Sequence, residues 1–500
     1  MKTGVKRLLA MALAMLIGFG VYRAVGASAA AVPQAAIEIK TPQDLDNVRN
    51  NLAGDYILAA DITLSGNFTP IGTEDAPFTG TFDGNWKTIY GLKIESTDAD
   101  TFYGGLFGYI EEATVKNVGI IGADIAVVAK TARVGGVAGS AASSTISNCI
   151  FFGQIQMGMA AGSNYAYSLR AGGIACMADA TTISDCTLIV SINAPNLIGI
   201  FGYAPQVIAG GVVAGADNSA AIKNCLSMGI IDIHEDMTGN GAYYTSQHIG
   251  GITGFLQNSS SIDQCSSAVA IRAASSHYAS AINVGGLAGV AQISSSIKDS
   301  YNVGLVITST KEAGRLYLNQ GGLVGTIGGA TTNITNCFNF GSVTYDIMST
   351  FPGGSDPRPS VLALFGRATN ADIQNCYGTS IDRSISYDGS GNSFYGGVPA
   401  GTPTCAFLTN EQFKQQASFT GFDFTNVWTM SDNYPDLRKV GANGTTPIEP
   451  PTTTEAPTTT TTIQPPPPSN KTIFSTGYEA TPLNWVLFFV LFGWIWMWFI

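Results

Sequence analysis

The sequence predicts an all-β fold: a parallel β-helix of about eight coils with a cap at each end. Three observations predict it. A glycine-led strand returns at Gly104, Gly135, Gly172, Gly210, Gly250, Gly285 and Gly321, at spacings of 31, 37, 38, 40, 35 and 36 residues. Self-similarity at such a period means a stacked array. Six of the eight cysteines (Cys149, Cys186, Cys225, Cys265, Cys337 and Cys376) share one register in that repeat, with Ser300 in the missing place. Only 12% of the chain is charged, against about a quarter in an ordinary soluble domain, and 59 residues are glycine. A helical domain would need more Glu, Lys and Leu.

Residues 1–31 read as a secretory signal peptide. Lys2, Lys6 and Arg7 precede an apolar run from Leu8 to Tyr22, and small residues follow around Ala27. An uncleaved N-terminal anchor is the alternative, and both place the body outside the cytoplasm. Removing this segment, with its four basic residues, takes the net charge from −11 to about −15. Such a chain is a poor partner for nucleic acid.

Residues 36–100 form an N-terminal cap and first coil. Thr41 is placed to cap a short helix from Pro42 to about Leu52, with Leu45, Val48 and Leu52 at helical spacing, and strands follow near Tyr56 and Ile62. Residues 101–380 carry the repeats. Each unit shows three strand signals: GG-x-x-G, then Ile-x-Asn-Cys, then a strand such as "YNVGLVIT" (Tyr301 to Thr308). Eight coils at about 4.8 Å each give roughly 40 Å of solenoid. A β-propeller is the competing array, and the three-strand count with no paired hairpin favours the helix.

The residue before each column cysteine, or before Ser300, is Asn, Asp or Gln. Asn and Asp tolerate left-handed backbone, which predicts a corner there. A corner resets strict alternation and turns the cysteine inward, so the six form a buried thiol column. Parallel stacking holds their Cβ atoms wider than a disulfide prefers, which favours free thiols. Cys176 and Cys405 are off this register.

Residues 381–440, with "FLTNEQFKQQASFTGFDFTNVWTMSDNYPDLR", depart from the repeat and form a C-terminal cap over the last coil. Residues 441–472 are a Thr/Pro-rich stalk without the means to bury a core. Residues 485–500 contain no charge and four of the six tryptophans, and read as a hydrophobic C-terminal membrane anchor. Sixteen residues of helix reach about 24 Å, short of a typical hydrocarbon core. The small residues Ser475, Thr476 and Gly477 ahead of that tail would also suit a lipid-anchor signal.

The order and phrasing of these segments resemble the GLUG-motif surface proteins of bacteria. "YILAADITL" precedes "PFTGTFDGNWKTIYGLKI", "GGLFGYIEEATVKNVGI" follows, then the repeats, then "FLTNEQFKQ" with "VWTMSDNYPDLR", about residues 36 to 440 in all. The resemblance implies a right-handed β-helix on a cell surface, often in adhesins. Trp86 stands where that family commonly has glycine, which implies a local turn adjustment. GLUG repeats also accompany some immunoglobulin-cleaving metallopeptidases.

A zinc peptidase needs HExxH on a helix. The three histidines are His234, His248 and His277, expected in the long loops, and "HEDMT" lacks the second histidine. Carbohydrate-active β-helices need clustered carboxylates, and Asp124, Asp232 and Asp346 fall in non-adjacent coils. "YDGSGN" reads as a Gly-rich turn more than as a calcium loop. No catalytic, metal or cofactor constellation is read from the sequence. Aromatics do recur in the loop before the glycine strand: Phe102 and Tyr103, Tyr165 and Tyr167, Phe201 and Tyr203, Tyr243 and Tyr244, Tyr278, and Tyr317. Stacked along one edge, they would shield the sheet beneath or contact a ligand. The function expected is adhesion, or a structural or binding role in the cell envelope. Its partners would be a host or cell-wall glycan or a surface protein, with the membrane engaged through the C-terminal segment. A polysaccharide lyase or hydrolase on the same scaffold is the alternative.

Overall fold

A computed structural model describes residues 36–159, 168–197, 206–235, 246–275, 281–310, 317–328, 332–347, 360–362, 364–368, 371–379 and 405–438. Chain contacts divide the protein after Pro447, and the second unit, Ile448–Ile500, lies outside the described residues, as do residues 1–31 and the stalk.

The described chain is a parallel β-helix. The repeat holds four strands where the sequence predicts three. In the coil of Gly172 they are Ser168–Gly172, Ala175–Asp179, Thr182–Ser184 and Thr187–Leu197. The glycine pair is not the start of a strand. It ends one strand and turns into the next, because only glycine fits the corner. A Cβ on Gly210 would lie 1.7 Å from the Val213 carbonyl oxygen, and one on Gly211 would lie 2.1 Å from Ser227 Oγ.

Each strand hydrogen-bonds to its equivalents in the neighbouring coils. Gly135, Gly172, Gly210, Gly250, Gly285 and Gly321 are register partners in succession. Among the described residues, the strands after the glycine pair form one eight-stranded sheet, the other coil strands join a continuous 29-stranded one, and Trp428–Met430 pairs antiparallel with Pro435–Leu437. One apolar cluster runs through the interior from Ile39 to Cys376.

The predicted corner is present in every unit. Asn148, Asp185, Asn224, Gln264, Asp299, Asn336 and Asn375 all have φ between 44° and 57°. Behind each, the cysteine is buried and free, and Ser300 is buried in its place. The choice of Cys or Ser has a local cause. Each side chain donates to the carbonyl two residues back, as Cys149 to Ser147 (3.3 Å), Cys225 to Lys223 (3.2 Å) and Ser300 to Lys298 (2.7 Å). The side chain thereby adds a donor to a carbonyl at the corner. Cys405 continues the column as the register partner of Cys376, at a separation of 29 residues that falls short of the repeat spacing. Burial pushes the Cys186 and Cys265 thiols well above their usual range.

At the N-terminus, Thr41 and Asp44 form a reciprocal capping box on a helix, Pro42–Asp46, which tightens into a 3₁₀ turn over Asn47–Asn50. The helix is shorter than its apolar spacing suggests. Asn85 and Trp86 both take left-handed backbone (φ 47° and 59°) where the strand Thr81–Tyr90 slips register against its neighbour, so the turn adjusts around the tryptophan.

The C-terminal segment does more than extend the last coil. Cys405–Leu408 adds a rung, and the following residues lie against the flank of three coils. Tyr301, Phe338 and Tyr377 stack outward beside the thiol column, with Tyr301 and Phe338 4.8 Å apart and 2° from parallel. Phe413, Phe419, Phe422 and Trp428 cover that stack. Tyr301 donates to Asp436 (2.6 Å) and Trp428 Nε1 to Asp299 (3.4 Å). Among the described residues no helix is long and apolar enough to cross a membrane.

Candidate functional site: a lengthwise seam

Where the strand ending in the glycine pair meets the strand after it, two outward columns of side chains converge. The first flank, in register order, is Tyr103, Arg133, Arg170, Ile208, His248, Asn283 and Asn319. The second is Tyr109, Ser140, Met177, Gly215, Phe255, Val290 and Thr326. Between them runs a floor of small residues, including Gly139, Cys176, Ala214, Gly254 and Gly289. A side chain at Gly254 would run into Ile208 Cγ2 at 2.5 Å. Cys176 and Ala214 belong with Ile208, Met177 and Phe255 to a cluster separate from the main core. Burial raises the Cys176 thiol to about 12.

The flanks touch across the seam. The Tyr103 and Tyr109 rings meet edge-on with centroids 5.8 Å apart, and the Arg133 guanidinium lies 5.3 Å from the Tyr103 ring centre. Burial and a hydrogen bond to Glu74 (2.7 Å) push Tyr103 up to about 12. Arg170 reaches Met177 Sδ (3.5 Å), and Thr326 donates to Asn283 Oδ1 (2.6 Å).

His248 sits mid-seam on the strand Ser246–Gly250, not in a loop, because the residues around it alternate with the buried Gln247 and Ile249. Ser246 Oγ is 3.0 Å from its Nε2, and Asn283 Nδ2 is 3.0 Å from its Nδ1. Asn283 Oδ1 already accepts from Asn319 (2.9 Å) and Thr326, so its amide nitrogen donates to the ring. That assigns the imidazole proton to Nε2, directed at Ser246. In this tautomer the ring does not act as a base toward the serine. Burial, reinforced by Arg170, lowers His248 to about 4, so it is neutral near pH 7. The Ser-x-His spacing and an asparagine one rung later were the only traces of this network in the sequence.

The other predicted residues scatter. His234 also lies on a strand, Leu226–Glu235, and faces Asp232 at 2.9 Å. His277 is outside the described residues. Asp124 accepts from Gln154 (2.9 Å), Asp232 lies beside Arg272 (3.6 Å), and Asp346 is in the strand Val343–Ile347. The fold does not bring these three acids together. Of the aromatic edge, Tyr165, Tyr167, Tyr203, Tyr243, Tyr244 and Tyr278 lie outside the described residues, and Tyr317 opens the strand Tyr317–Gly321. Phe102 and Tyr103 are on a strand, Lys93–Gly104, which runs on to the glycine corner and leaves no loop there.

Fold and seam together define the class: a parallel β-helical repeat protein. No family model and no curated protein matches the chain. Among solved structures, one described as "IgA1 Protease" is similar over 70% of this chain, at 17% identity and a TM-score of 0.31. This chain spans 22% of that protein's length. A second, a "putative immunoglobulin A1 protease" from Bacteroides ovatus, is similar over 81% of this chain and 93% of its own, at 16% identity and a TM-score of 0.33.

Proposed function

We propose that this chain is an exported, surface-anchored binding module of the GLUG type, acting in adhesion or in the cell envelope. The β-helix would be carried on the Thr/Pro stalk and held by the C-terminal apolar segment. The observation that supports this reading is the seam. A rigid scaffold holds Tyr103, Arg133, Arg170, His248, Asn283 and Asn319 in one register column, interrupted by the buried Ile208. Repetition of that kind suits an extended ligand better than a single small substrate. Tyr243, Tyr244 and Tyr278, outside the described residues, are the further candidate ligand contacts.

The test is display of the full chain on cells, with adhesion to host-cell and cell-wall glycans measured beside a strain lacking it. Accessibility to antibody on intact cells and glycan-dependent adhesion are expected. A Tyr243/Tyr244/Tyr278 triple alanine variant should then adhere several-fold less. A chain confined inside the cell, or one that cleaves glycans during the assay, would overturn the reading.

A further inference from the structure

Arg133 and Arg170 are register partners on neighbouring rungs, so their backbones stand about 4.8 Å apart. Like charges placed side by side in a sheet repel. Neither arginine has a carboxylate partner among the described residues. Arg170 donates to neutral atoms: Ser168 Oγ (3.2 Å), Gln206 Oε1 (2.9 Å) and Met177 Sδ. Arg133 rests on the Tyr103 ring. Both are partly buried. Arg49 and Arg272, by contrast, sit beside Asp46 and Asp232. None of the acids bordering the seam, Glu74, Glu111, Asp179 and Asp217, forms an ion pair with either arginine among the described residues. Glu74 accepts from Tyr103, Asp179 from Asn218, and Asp217 from Gln257 and Asn258.

Two adjacent guanidinium groups without a carboxylate among the described residues leave their donors open to an anionic ligand. Guanidinium forks take carboxylates bidentately. The adjoining Tyr103 offers a flat apolar ring with a polar tip, which suits the face of a sugar. The rung repeat is comparable to the length of one sugar ring in an extended chain. An acidic peptide fits less well, since the strands beneath are already paired on both sides and have no free edge for a peptide backbone. The net negative charge of the chain opposes polyanions in general, so an acidic ligand is held only where these guanidinium groups meet it.

We propose that Arg133 and Arg170, with Tyr103 beside them, form a subsite for a carboxylate-bearing polysaccharide of the uronate class. This rests on the binding-module reading above. The test is calorimetric titration of the full chain with octagalacturonate, a neutral octasaccharide and hexaglutamate. Octagalacturonate alone should bind. Arg133→Gln and Arg170→Gln should each weaken it roughly tenfold, and the double variant should abolish it. Arg272→Gln, on a different strand column, should bind as the parent does, and circular dichroism should show every variant folded. The proposal fails if octagalacturonate does not bind, if the folded double variant binds as well as the parent, or if hexaglutamate binds equally. Adhesion by the displayed chain without uronate binding would sink this proposal alone, whereas loss of both would sink the binding-module reading too.

Discussion

At the scale of single residues, the corner decides the repeat. A side chain with left-handed backbone is costly for most residues and cheap for Asn or Gly. Asn224→Val should therefore lower stability by about 1–3 kcal/mol, and Asn224→Gly by much less, in urea unfolding of each variant. His248 sets a pH dependence. Its folded value of about 4 lies below the usual histidine value, so between those values the unfolded chain holds more protons than the folded one. The stability gained from the neutral ring is complete above about pH 6.5 and is lost as pH falls toward 4, at up to about 1.4 kcal/mol per pH unit. Denaturant melts from pH 7 to 4 should show this slope, and His248→Asn should flatten it. The asparagines and cysteines of the column were legible in the sequence because they repeat with the coil. The His248 network was not, because each of its members occurs once and meets the others only through rung stacking.

At the scale of elements, the C-terminal segment acts as a strap along the flank. Trp428 is fully buried against Tyr301, Phe338 and Phe422. Truncating a buried tryptophan removes its transfer energy and leaves a cavity, so Trp428→Ala should cost about 3–5 kcal/mol. It should also expose the Tyr301–Phe338 stack, read as a gain in binding of a hydrophobic dye. An unchanged melt and no dye binding would show that the strap is peripheral. The sequence marked this segment as a cap because it departs from the repeat. It did not reveal that the target is the outward aromatic column, since Tyr301, Phe338 and Tyr377 read as ordinary strand residues until their rungs are stacked. The glycine pair was misplaced for a related reason. Glycine inside an apolar run marks a close approach of backbone without saying whether the chain continues or turns.

At the scale of the molecule, each coil contacts its neighbours and little else, so stability is a sum of coil and interface contributions. Removing residues 405–438 should abolish hydrogen-exchange protection around Tyr301, Phe338 and Tyr377. Protection around Cys149 to Cys225 should stay close to that of the intact chain. Uniform loss along the whole solenoid would contradict this one-dimensional behaviour. The sequence by itself determined the stacking, the left-handed corners and the buried thiol file, because these recur in every turn and period is a property of order along the chain. Only the tertiary structure decided where the two seam flanks converge, which arginines lack a carboxylate partner among the described residues and what the C-terminal strap covers. Those relations join residues one rung or one corner apart, and it takes the folded coil to make such residues neighbours.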